Sequence, residues 1–451
     1  MKFETINPEN QEVIKEYTYL TREELHEKLN DSKHAYKYWK DETLEARKFL
    51  INNVKELLLT KKLDYANVIT EEMGKPISQS IAEVEKCASL CDYYINIVEE
   101  SLNHREIESE FQKSYVRYDS MGAIFGIMPW NFPFWQVFRY AIPNILVGNV
   151  VLLKHAQITT GCSLKMQELF EEAELPHGVF QALVLDKRDT EEVIKNPIVA
   201  GVTLTGSEPA GRNVASLAGK YLKKSVMELG GSDPFIVCKD ADIVKAAKNA
   251  VFSRLINTGQ TCISAKRFIV EKEVAEKFIS AAIMEIEMIK SGSLLDKDTQ
   301  IGFMAREDLA NTLEKQLEDL EKSGGEILVG GDRDGNFFSP SLVKVDKENT
   351  YANYEELFGP IGVVTVVDSE EELIEIANNT PFGLGAAVWS ENIEKAEEIA
   401  AKIEAGCVAI NDFVKSDPRF PFGGVKNSGY GRELSSNALH EFVNIKTVYV
   451  K

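Results

Sequence analysis

A cysteine at the end of a polar turn is the residue of this sequence best suited to nucleophilic chemistry. The turn reads NTGQTC and ends at Cys262, with Ile263 beyond it. A thiol at the end of a glycine-bearing turn can attack a substrate, whereas a cysteine inside an apolar run usually packs as a small hydrophobe. Packing is the commoner role for a lone cysteine, so the interpretation of Cys262 depends on what the rest of the chain supplies.

Three other stretches supply what a thiol nucleophile needs. Glu228 precedes paired glycines in the run MELGG and is a candidate general base. Asn131 lies between two prolines in PWNFP, and its amide is a candidate donor to a developing oxyanion. Glu356 and Phe358, in EELFGP, offer a carboxylate and an aromatic ring that could hold a flat cofactor ring and its ribose. Together these stretches favour a catalytic cysteine over a packed one.

The joint occurrence of these motifs, in this order and spacing, resembles the aldehyde dehydrogenase superfamily. The resemblance extends from Asn7 and Pro8 through EMGKP at 72–76 to PFGGVK at 421–426. Two shorter runs, LKHA at 153–156 and KSDPR at 415–419, are similar to those of short bacterial succinate-semialdehyde dehydrogenases. The resemblance implies an enzyme that oxidises an aldehyde to a carboxylic acid with NAD or NADP, with succinate semialdehyde as the expected substrate.

Aldehyde oxidation needs a thiolate that attacks the carbonyl, donors that hold the oxyanion, a hydride acceptor and a water that hydrolyses the thioester. Cys262 fits the first role, and Asn131 with the backbone N–H of Cys262 fits the second. Glu228 fits the activation of water, because the glycines after it leave it room to move. Two of these residues have a structural alternative. Asn131 could cap the following helix instead of binding an oxyanion, and Glu228 could form an ion pair with Lys223 or Lys224 instead of activating water.

The cofactor site does not follow the common glycine fingerprint, because no G-x-G-x-x-G follows a strand and opens a helix. The run LTGSEPAG at 204–211 does follow a predicted strand. Gly206 allows a close backbone approach, Ser207 offers a hydroxyl, and a helix N-terminus there can hold a phosphate. The resemblance implies that this turn holds the pyrophosphate and that Lys154 contacts the adenosine ribose.

The resemblance further implies that Glu356 holds the nicotinamide ribose with Phe358 beside the ring, and that Trp130 and Leu229 add cofactor contacts. Many family members have a glutamate three residues after the Lys154 position, and this chain has Gln157. An amide does not repel a 2′-phosphate, so we expect both NAD and NADP to serve as cofactors.

Substrate contacts are predicted on the stretch FPFWQVFR that follows Asn131. If a helix begins near its proline, Trp135 and Arg139 share one face, four residues apart. Arginine binds carboxylates bidentately, so a short semialdehyde could extend from Cys262 to Arg139, and Ser416 could add a hydrogen bond. The alternative is that Arg139 forms a structural ion pair and that the pocket takes neutral aliphatic aldehydes.

Two other enzyme classes deserve comparison with this interpretation. A thiol hydrolase would need a histidine beside Cys262, and the nearest candidates are His155 and His177. That reading leaves the phosphate-binding turn and Glu356 without a purpose. An aldehyde dehydrogenase that releases its thioester to coenzyme A is disfavoured by Glu228, which suits water. A non-catalytic relative is disfavoured because all three catalytic positions are intact.

Bulk composition restricts the partners and the location. The formal charge of −20 argues against nucleic acid or an anionic membrane surface, and it makes an anionic substrate depend on a local cation. The six cysteines show no paired spacing and the six histidines form no cluster, so we expect neither disulfides nor a metal site. No signal peptide is recognisable in the first residues, and we expect a cytoplasmic protein.

The elements that must position these residues form an α/β pattern. At 451 residues the chain is too long for one core. Helical periodicity covers much of residues 21–100. Apolar strands predicted at 122–127, 150–153, 179–185 and 199–204 alternate with helices, which indicates a Rossmann-like parallel sheet. The alternation restarts after Glu228, with strands predicted at 234–237, 265–270, 326–329, 362–368 and 406–410.

We therefore predict an NAD(P)-binding domain from residues 1–103 and 122–227 and a catalytic domain from residues 228–428, with the active site between them. The tail from Val443 to Val450 reads as an unpaired edge strand. The resemblance implies that residues 104–121 and 429–451 form a small β element for assembly into a homodimer or homotetramer.

Overall fold

Strands and helices alternate along most of the chain in the structure, a computed structural model that describes all 451 residues. The strands, in chain order, are β1 (Lys2–Ile6), β2 (Val13–Thr18), β3 (Arg105–Glu106), β4 (Lys113–Ser120), β5 (Ala123–Met128), β6 (Val150–His155), β7 (Phe180–Ala182), β8 (Val199–Thr205), β9 (Lys224–Glu228), β10 (Asp233–Val237), β11 (Ala265–Glu271), β12 (Glu326–Val329), β13 (Arg333–Asp334), β14 (Phe337–Phe338), β15 (Ser341–Val345), β16 (Ile361–Val367), β17 (Gly385–Trp389), β18 (Cys407–Ile410), β19 (Gly429–Tyr430) and β20 (Val443–Val450).

The α-helices pack on both sides of the sheets. In chain order they are α1 (Arg22–Trp39), α2 (Leu44–Thr60), α3 (Lys62–Met73), α4 (Ile77–Leu102), α5 (Trp135–Val147), α6 (Thr160–Glu172), α7 (Thr190–Ile194), α8 (Glu208–Lys220), α9 (Ile243–Leu255), α10 (Lys272–Glu287), α11 (Glu307–Lys322), α12 (Tyr351–Tyr354), α13 (Glu370–Asn378), α14 (Ile393–Ala400) and α15 (Ser435–Glu441). No helix is long and apolar enough to cross a membrane.

The first large sheet has six strands in the order β19-β9-β8-β5-β6-β7, and only β19 runs antiparallel to its neighbour. Strands β5, β6 and β8 lie where the apolar runs predicted them. They are buried almost throughout, because helices cover both faces of a parallel sheet. Strand β7 is shorter than predicted and covers only three residues.

The second large sheet has seven strands in the order β12-β15-β16-β11-β10-β17-β18, and β12 is its one antiparallel strand. Five of these strands lie at the predicted positions. Strands β15 and β17 were not predicted, because one is a short SLVKV run and the other is the small-residue run GAAVW, which has weak β propensity. The predicted α/β class with two parallel-sheet layers is confirmed.

The first hundred residues cover the first sheet. Strands β1 and β2 form a hairpin, and Thr21 with Glu24 forms a capping box before α1. Helix α2 follows an N-cap by Thr43. Helix α4 begins directly after Pro76 and has 26 residues, so helices fill most of the range in which the sequence shows helical periodicity.

A third, small sheet has the order β20-β4-β3. Strand β20 pairs with β4 along all eight of its residues and leaves its other edge free, with Ile445 and Tyr449 exposed. Residues 429–442, which the prediction grouped with this sheet, lie elsewhere: β19 pairs with β9, and α15 packs on α4 and α5. The division of the chain into functional domains stays a prediction.

Candidate active site

Cys262 lies between the two large sheets, after a short turn that connects α9 to β11. Asn257, Thr258 and Gly259 have φ angles of 59°, 56° and 70°, so three successive residues are left-handed. This conformation is unfavourable for a β-branched threonine, and it persists only where surrounding contacts hold it. The turn directs Cys262 into a cavity of about 320 Å³.

Buried side chains hold this turn in place. Asn257 donates from its side chain to the carbonyls of Asn131 at 2.8 Å and Gln260 at 3.1 Å. Gln260 donates in turn to the carbonyls of Asn257 at 3.2 Å and Phe303 at 3.1 Å. Arg254 donates to the Gly359 carbonyl at 2.6 Å. The position of Cys262 is therefore fixed by residues from both large sheets.

The surroundings of Cys262 keep its thiol protonated in this state of the molecule. Burial raises the pKa of the Cys262 thiol to about 12, and the nearby Lys266 and Arg139 oppose this rise. Lys266 donates to the carbonyls of Thr261 at 3.0 Å and Cys262 at 2.6 Å. Its ammonium also lies 3.2 Å from Glu356. The thiol therefore needs a proton acceptor before it can attack.

Asn131 is joined to the cysteine turn, as its predicted role requires. Its side-chain N–H donates to the Gln260 carbonyl at 2.9 Å, which leaves the second N–H of the amide for another acceptor. Asn131 does not cap α5, the alternative raised by the sequence. The first N–H groups of that helix, on Phe134 and Trp135, bind a carboxylate oxygen of Glu83 at 2.8 and 3.0 Å.

A buried ion pair, not predicted from the sequence, supports this segment. Lys75 Nζ lies 2.7 Å from Glu83 Oε2 and donates to the Asn131 carbonyl at 2.8 Å. The side chains of Lys75 and Glu83 are 0% and 1% exposed. The ammonium also stacks over the Phe132 ring, 4.1 Å from its centroid. The run EMGKP contains Lys75, so the only sequence signal was a lysine within a family motif.

Glu228 ends β9 and is not among the residues that line the Cys262 cavity, and it has no hydrogen-bond partner at either carboxylate oxygen. Burial raises the pKa of the Glu228 carboxyl well above its usual value, and the nearby Glu433 adds to the rise, while Arg139 opposes it. The ion pairs considered from the sequence are not formed. Lys223 donates to a backbone carbonyl at 3.3 Å, and Lys224 lies 3.8 Å from Glu441.

The predicted phosphate-binding turn lies between β8 and α8. Helix α8 begins with uncapped N–H groups, because Ser207 at the N-cap makes no side-chain bond to them. A β carbon at Gly206 would meet nothing closer than Leu204, at 3.6 Å, so this backbone is open to a ligand. Glu208, in the first helical turn, is neutralised by Arg212 at 2.6 Å. The turn therefore fits a pyrophosphate.

The other predicted cofactor residues surround this turn and the end of β9. Trp130 and Phe358 meet edge to face, with ring centroids 5.8 Å apart. Leu229 is buried against the start of α8. Glu356 accepts the N–H of Gly231 at 3.1 Å through Oε1, the oxygen that also faces Lys266. Its other oxygen makes no protein hydrogen bond, as a ribose ligand would require.

Lys154 and Gln157 lie at and beyond the end of β6. Burial lowers the pKa of Lys154, and Asp186 opposes this shift. Gln157 is exposed and donates to the Tyr19 hydroxyl. Arg188 binds Asp186 through two nitrogens at 2.9 and 3.0 Å. No carboxylate therefore faces the predicted 2′-hydroxyl region without a basic partner.

The cavity beside Cys262 brings together the three predicted substrate residues. Trp135, Arg139 and Ser416 all line it, and Trp135 Nε1 donates to Ser416 Oγ at 3.0 Å. Arg139 Nε lies 2.7 Å from Glu433 Oε2, so the ion pair considered as an alternative is present. Neither Glu433 nor Lys86, a second cation in the cavity wall, was predicted from the sequence. Both lie far from their partners along the chain.

The chain is similar to known proteins along almost its whole length. The model of the "Aldehyde dehydrogenase family" matches residues 1–448. A probable succinate-semialdehyde dehydrogenase [NADP(+)] of Synechocystis is 40% identical over all of both chains. The Escherichia coli succinate semialdehyde dehydrogenase [NAD(P)+] is also 40% identical, over 99% of this chain and 97% of its own. The crystal structure of the Streptococcus pyogenes succinic semialdehyde dehydrogenase with NADP+ superposes with a TM-score of 0.97 at 37% identity, covering 99% of each chain.

Proposed function

The chain belongs to the aldehyde dehydrogenase family, and on that basis we propose that it oxidises succinate semialdehyde to succinate with NADP or NAD. The observation that carries this proposal is one cavity that contains Cys262 and three cations, Lys86, Arg139 and Lys415, the last of which is paired with Asp412. Most of the wall is otherwise aromatic or aliphatic. Such a pocket suits a short chain with an aldehyde at one end and a carboxylate at the other.

Cys262 is the proposed nucleophile. Its thiol first loses its proton to solvent. The sulfur then adds to the aldehyde carbon, and the oxygen becomes an oxyanion that accepts hydrogen bonds from the free N–H of Asn131 and the backbone N–H of Cys262. Both groups are held by the buried turn, so they need no reorganisation when charge develops. Loss of one such donor typically costs on the order of 3 kcal/mol in the barrier.

When bound, NAD or NADP supplies the hydride acceptor. The α8 N-terminus with Gly206 and Ser207 is proposed to bind the pyrophosphate, and Glu356 to bind a ribose. Phe358 and Trp130 would then lie beside the nicotinamide ring, and Lys154 and Gln157 would lie beside the adenosine ribose. Oxidation leaves an acyl thioester on Cys262.

Glu228 is proposed to activate the water that hydrolyses this thioester. A general base must be ionised, whereas burial away from water favours the neutral form of the Glu228 carboxyl. The paired glycines Gly230 and Gly231 follow it, so the carboxylate has room to turn toward water that enters the site. Glu433 lies close enough to raise its proton affinity further.

The hydrolase alternative receives no support from the two histidines. His155 is buried, with its ring nitrogens near the Pro133 carbonyl at 2.9 Å and the Thr159 hydroxyl at 2.7 Å. His177 is exposed and lies 3.1 Å from Asp31. Neither lines the cavity of Cys262. Neutral aliphatic aldehydes remain the second candidate substrate class, favoured by the aromatic wall.

The first experiment measures reduced cofactor with succinate semialdehyde and with butanal, each with and without coenzyme A. We expect succinate semialdehyde to have the higher kcat/KM and coenzyme A to change nothing. Cys262→Ala should abolish turnover while NADP still binds, as measured by fluorescence titration. A higher kcat/KM for butanal, a requirement for coenzyme A, or turnover by Cys262→Ala would contradict the proposal.

We also propose a homodimer or homotetramer, assembled through the free edge of β20. The exposed Ile445 and Tyr449 lie on this strand, and unpaired edges favour pairing with another chain. Light scattering of the wild-type protein and of a Tyr449→Lys variant tests this assembly. All six cysteines are free, which supports the proposal of a cytoplasmic location.

A further inference from the structure

Three cations line the cavity, and they differ in how much of their charge is already balanced. Lys415 is about half exposed and lies 2.6 Å from Asp412. Arg139 is buried, lies 2.7 Å from Glu433 and packs over the Phe422 ring at 4.8 Å. Its charge also lowers the pKa of Glu228, which burial and Glu433 raise. The guanidinium therefore already has an ionic partner in Glu433, which leaves less of its charge for a ligand than a cation without such a partner would have.

Lys86 has no such partner. It lies on the cavity face of α4 and makes no salt bridge, and its ammonium is 4.1 Å from the centroid of the Trp135 ring. Nζ donates one hydrogen bond, to Ser416 Oγ at 2.8 Å. A lysine has three N–H donors, so two of them remain for a ligand in the cavity.

Ser416 supplies a third donor beside these two. Its oxygen accepts hydrogen bonds from Lys86 and from Trp135 Nε1, at 2.8 and 3.0 Å. Both acceptor positions of the hydroxyl are thereby used, and its own proton has no acceptor in the protein. Three donors, two of them on the charged ammonium of Lys86, converge on one part of the cavity wall. A carboxylate, with two oxygens and about four acceptor positions, fits this arrangement.

We propose that Lys86, together with Ser416, binds the distal carboxylate of the substrate, the role that the sequence assigned to Arg139. Arg139 instead serves as the counter-charge of Glu433 and opposes the rise in the pKa of Glu228. This inference rests on the proposed function, since it presumes a substrate that carries a carboxylate. It makes Lys86 a specificity-determining residue, and Arg139 a residue that acts through Glu228.

The test compares variants with two substrates that differ only in the distal group. Lys86→Met should raise KM for succinate semialdehyde about 10- to 100-fold and leave kcat/KM for butanal within about threefold. Lys86→Arg should recover most of the preference, because it keeps the charge. Lys55→Met is the matched control: Lys55 is a partly buried lysine that also packs on α4, at Asp92, outside the cavity. It should change neither substrate.

The pH profile supplies a readout that a merely structural role would not move. Burial lowers the pKa of Lys86 to about 8, and Arg139 adds to this shift, while Cys87, Glu83 and Asp417 oppose it. The ratio of kcat/KM for succinate semialdehyde to that for butanal should therefore fall as pH rises through about 8. The ratio cancels the titration of Cys262, which both substrates share. In Lys86→Arg it should stay flat over this range.

Two results would overturn the inference while leaving the proposed function intact. One is a preference for succinate semialdehyde that survives Lys86→Met within twofold. The other is an equal loss with both substrates in that variant. If the unmutated enzyme prefers butanal, the proposed function itself fails. Arg139→Met should lower kcat for both substrates alike. A loss of kcat/KM with succinate semialdehyde alone would show that Arg139, and not Lys86, binds the distal carboxylate.

Discussion

Glu83 and Glu228 are both buried carboxyl groups, one in the wall of the Cys262 cavity and the other at the end of β9, and their surroundings differ. Glu83 binds the ammonium of Lys75 at 2.7 Å and the N–H groups of Phe134 and Trp135 at 2.8 and 3.0 Å. Glu228 has no hydrogen-bond partner, and its nearest electrostatic neighbours include a second carboxyl, Glu433. One site contains a fully compensated charge, and the other disfavours any charge.

The difference indicates what each side does. A buried charge with all its partners is rigid, because any movement leaves an ion unpaired at a cost of several kcal/mol. Such a pair suits a scaffold, and Lys75 does hold the Asn131 carbonyl. A carboxyl without partners loses nothing by moving, and its raised pKa makes it a strong proton acceptor once ionised. Such a group suits the side of the centre where water must be activated.

The largest effect is expected when the reactive carboxyl is replaced by its neutral isostere. Glu228→Gln should lower steady-state kcat about 10²- to 10⁴-fold, because no base remains to activate water. Hydride transfer should survive, so a stopped-flow trace should show a burst of about one reduced cofactor per site. The folded protein should be as stable as the wild type, because Glu228 is already held neutral. A lower unfolding free energy for Glu228→Gln than for Glu83→Gln would contradict the assigned difference between the two carboxyl groups. The absence of a burst would contradict the role of Glu228 in hydrolysis.

The second prediction addresses the scaffold side. Lys75→Met leaves the Glu83 carboxylate buried without its cation and should cost about 3–5 kcal/mol of unfolding free energy. Removing both charges in Lys75→Met/Glu83→Gln should recover part of this loss, since a neutral amide can still accept the N–H groups of α5. Urea unfolding of the two variants measures the difference. Equal stability of the single variant and the wild type would show that the pair is no scaffold.

The contrast also shows what the sequence could predict. Cys262, Asn131 and Glu228 lie in short motifs with their own glycines and prolines, so local chemistry identified them. The contacts in the cavity wall join residues that are distant along the chain. Arg139 pairs with Glu433, and Lys86 binds Ser416, 330 positions away. No periodicity carries such information. Arg139 was placed correctly in the cavity, but only the three-dimensional structure revealed that Glu433 binds it.

Strand prediction succeeded and failed for related reasons. Strands such as β6 and β8 are continuous apolar runs buried on both faces, and these were found. Strand β9, with the sequence KSVME, is exposed at its first residue and ends in the buried Glu228. It offers neither an apolar run nor a regular alternation. The residue that ends this strand was identified from its motif even though the strand was not.

A third prediction extends the comparison to Asp233, another buried carboxyl without hydrogen-bond partners. Burial raises the pKa of Asp233 to about 7, and Lys266 opposes the rise. The unfolded pKa is about 3.9, so the folded state binds the extra proton between these values. The stability that this neutral form contributes is complete below about pH 4 and is lost as pH rises to about 7. The slope approaches about 1.4 kcal/mol per pH unit.

Asp233→Asn should flatten this part of the pH–stability curve, as measured by thermal unfolding between pH 4.5 and 7.5. Asp417→Asn is the control of opposite sign, because the ion pair with Arg419 lowers the pKa of Asp417. Its stabilising effect is present above about pH 4 and is lost as pH falls through the lowered pKa, so Asp417→Asn should leave the slope between pH 4.5 and 7.5 unchanged. If the slope is unchanged in Asp233→Asn, burial does not hold Asp233 neutral as it is expected to hold Glu228. The comparison would then apply to Glu228, the proposed base, and not to Asp233.

The smallest effect concerns an exposed position, where solvent screens any added charge. Gln157 is exposed beside the proposed adenosine site, and Asp186, the carboxylate that acts on Lys154, is already bound by Arg188. Gln157→Glu would add a further carboxylate, and its repulsion of a 2′-phosphate should shift the ratio of kcat/KM values for NAD over NADP by about tenfold toward NAD. Rates with each cofactor at saturating aldehyde measure the shift, and raising the salt concentration should reduce it. The wild-type enzyme should use both cofactors; undetectable turnover with NADP would mean that an amide at this position does not admit the phosphate. The choice between NAD and NADP would then be made by the surroundings of Lys154, and a charge at position 157 would only modify it.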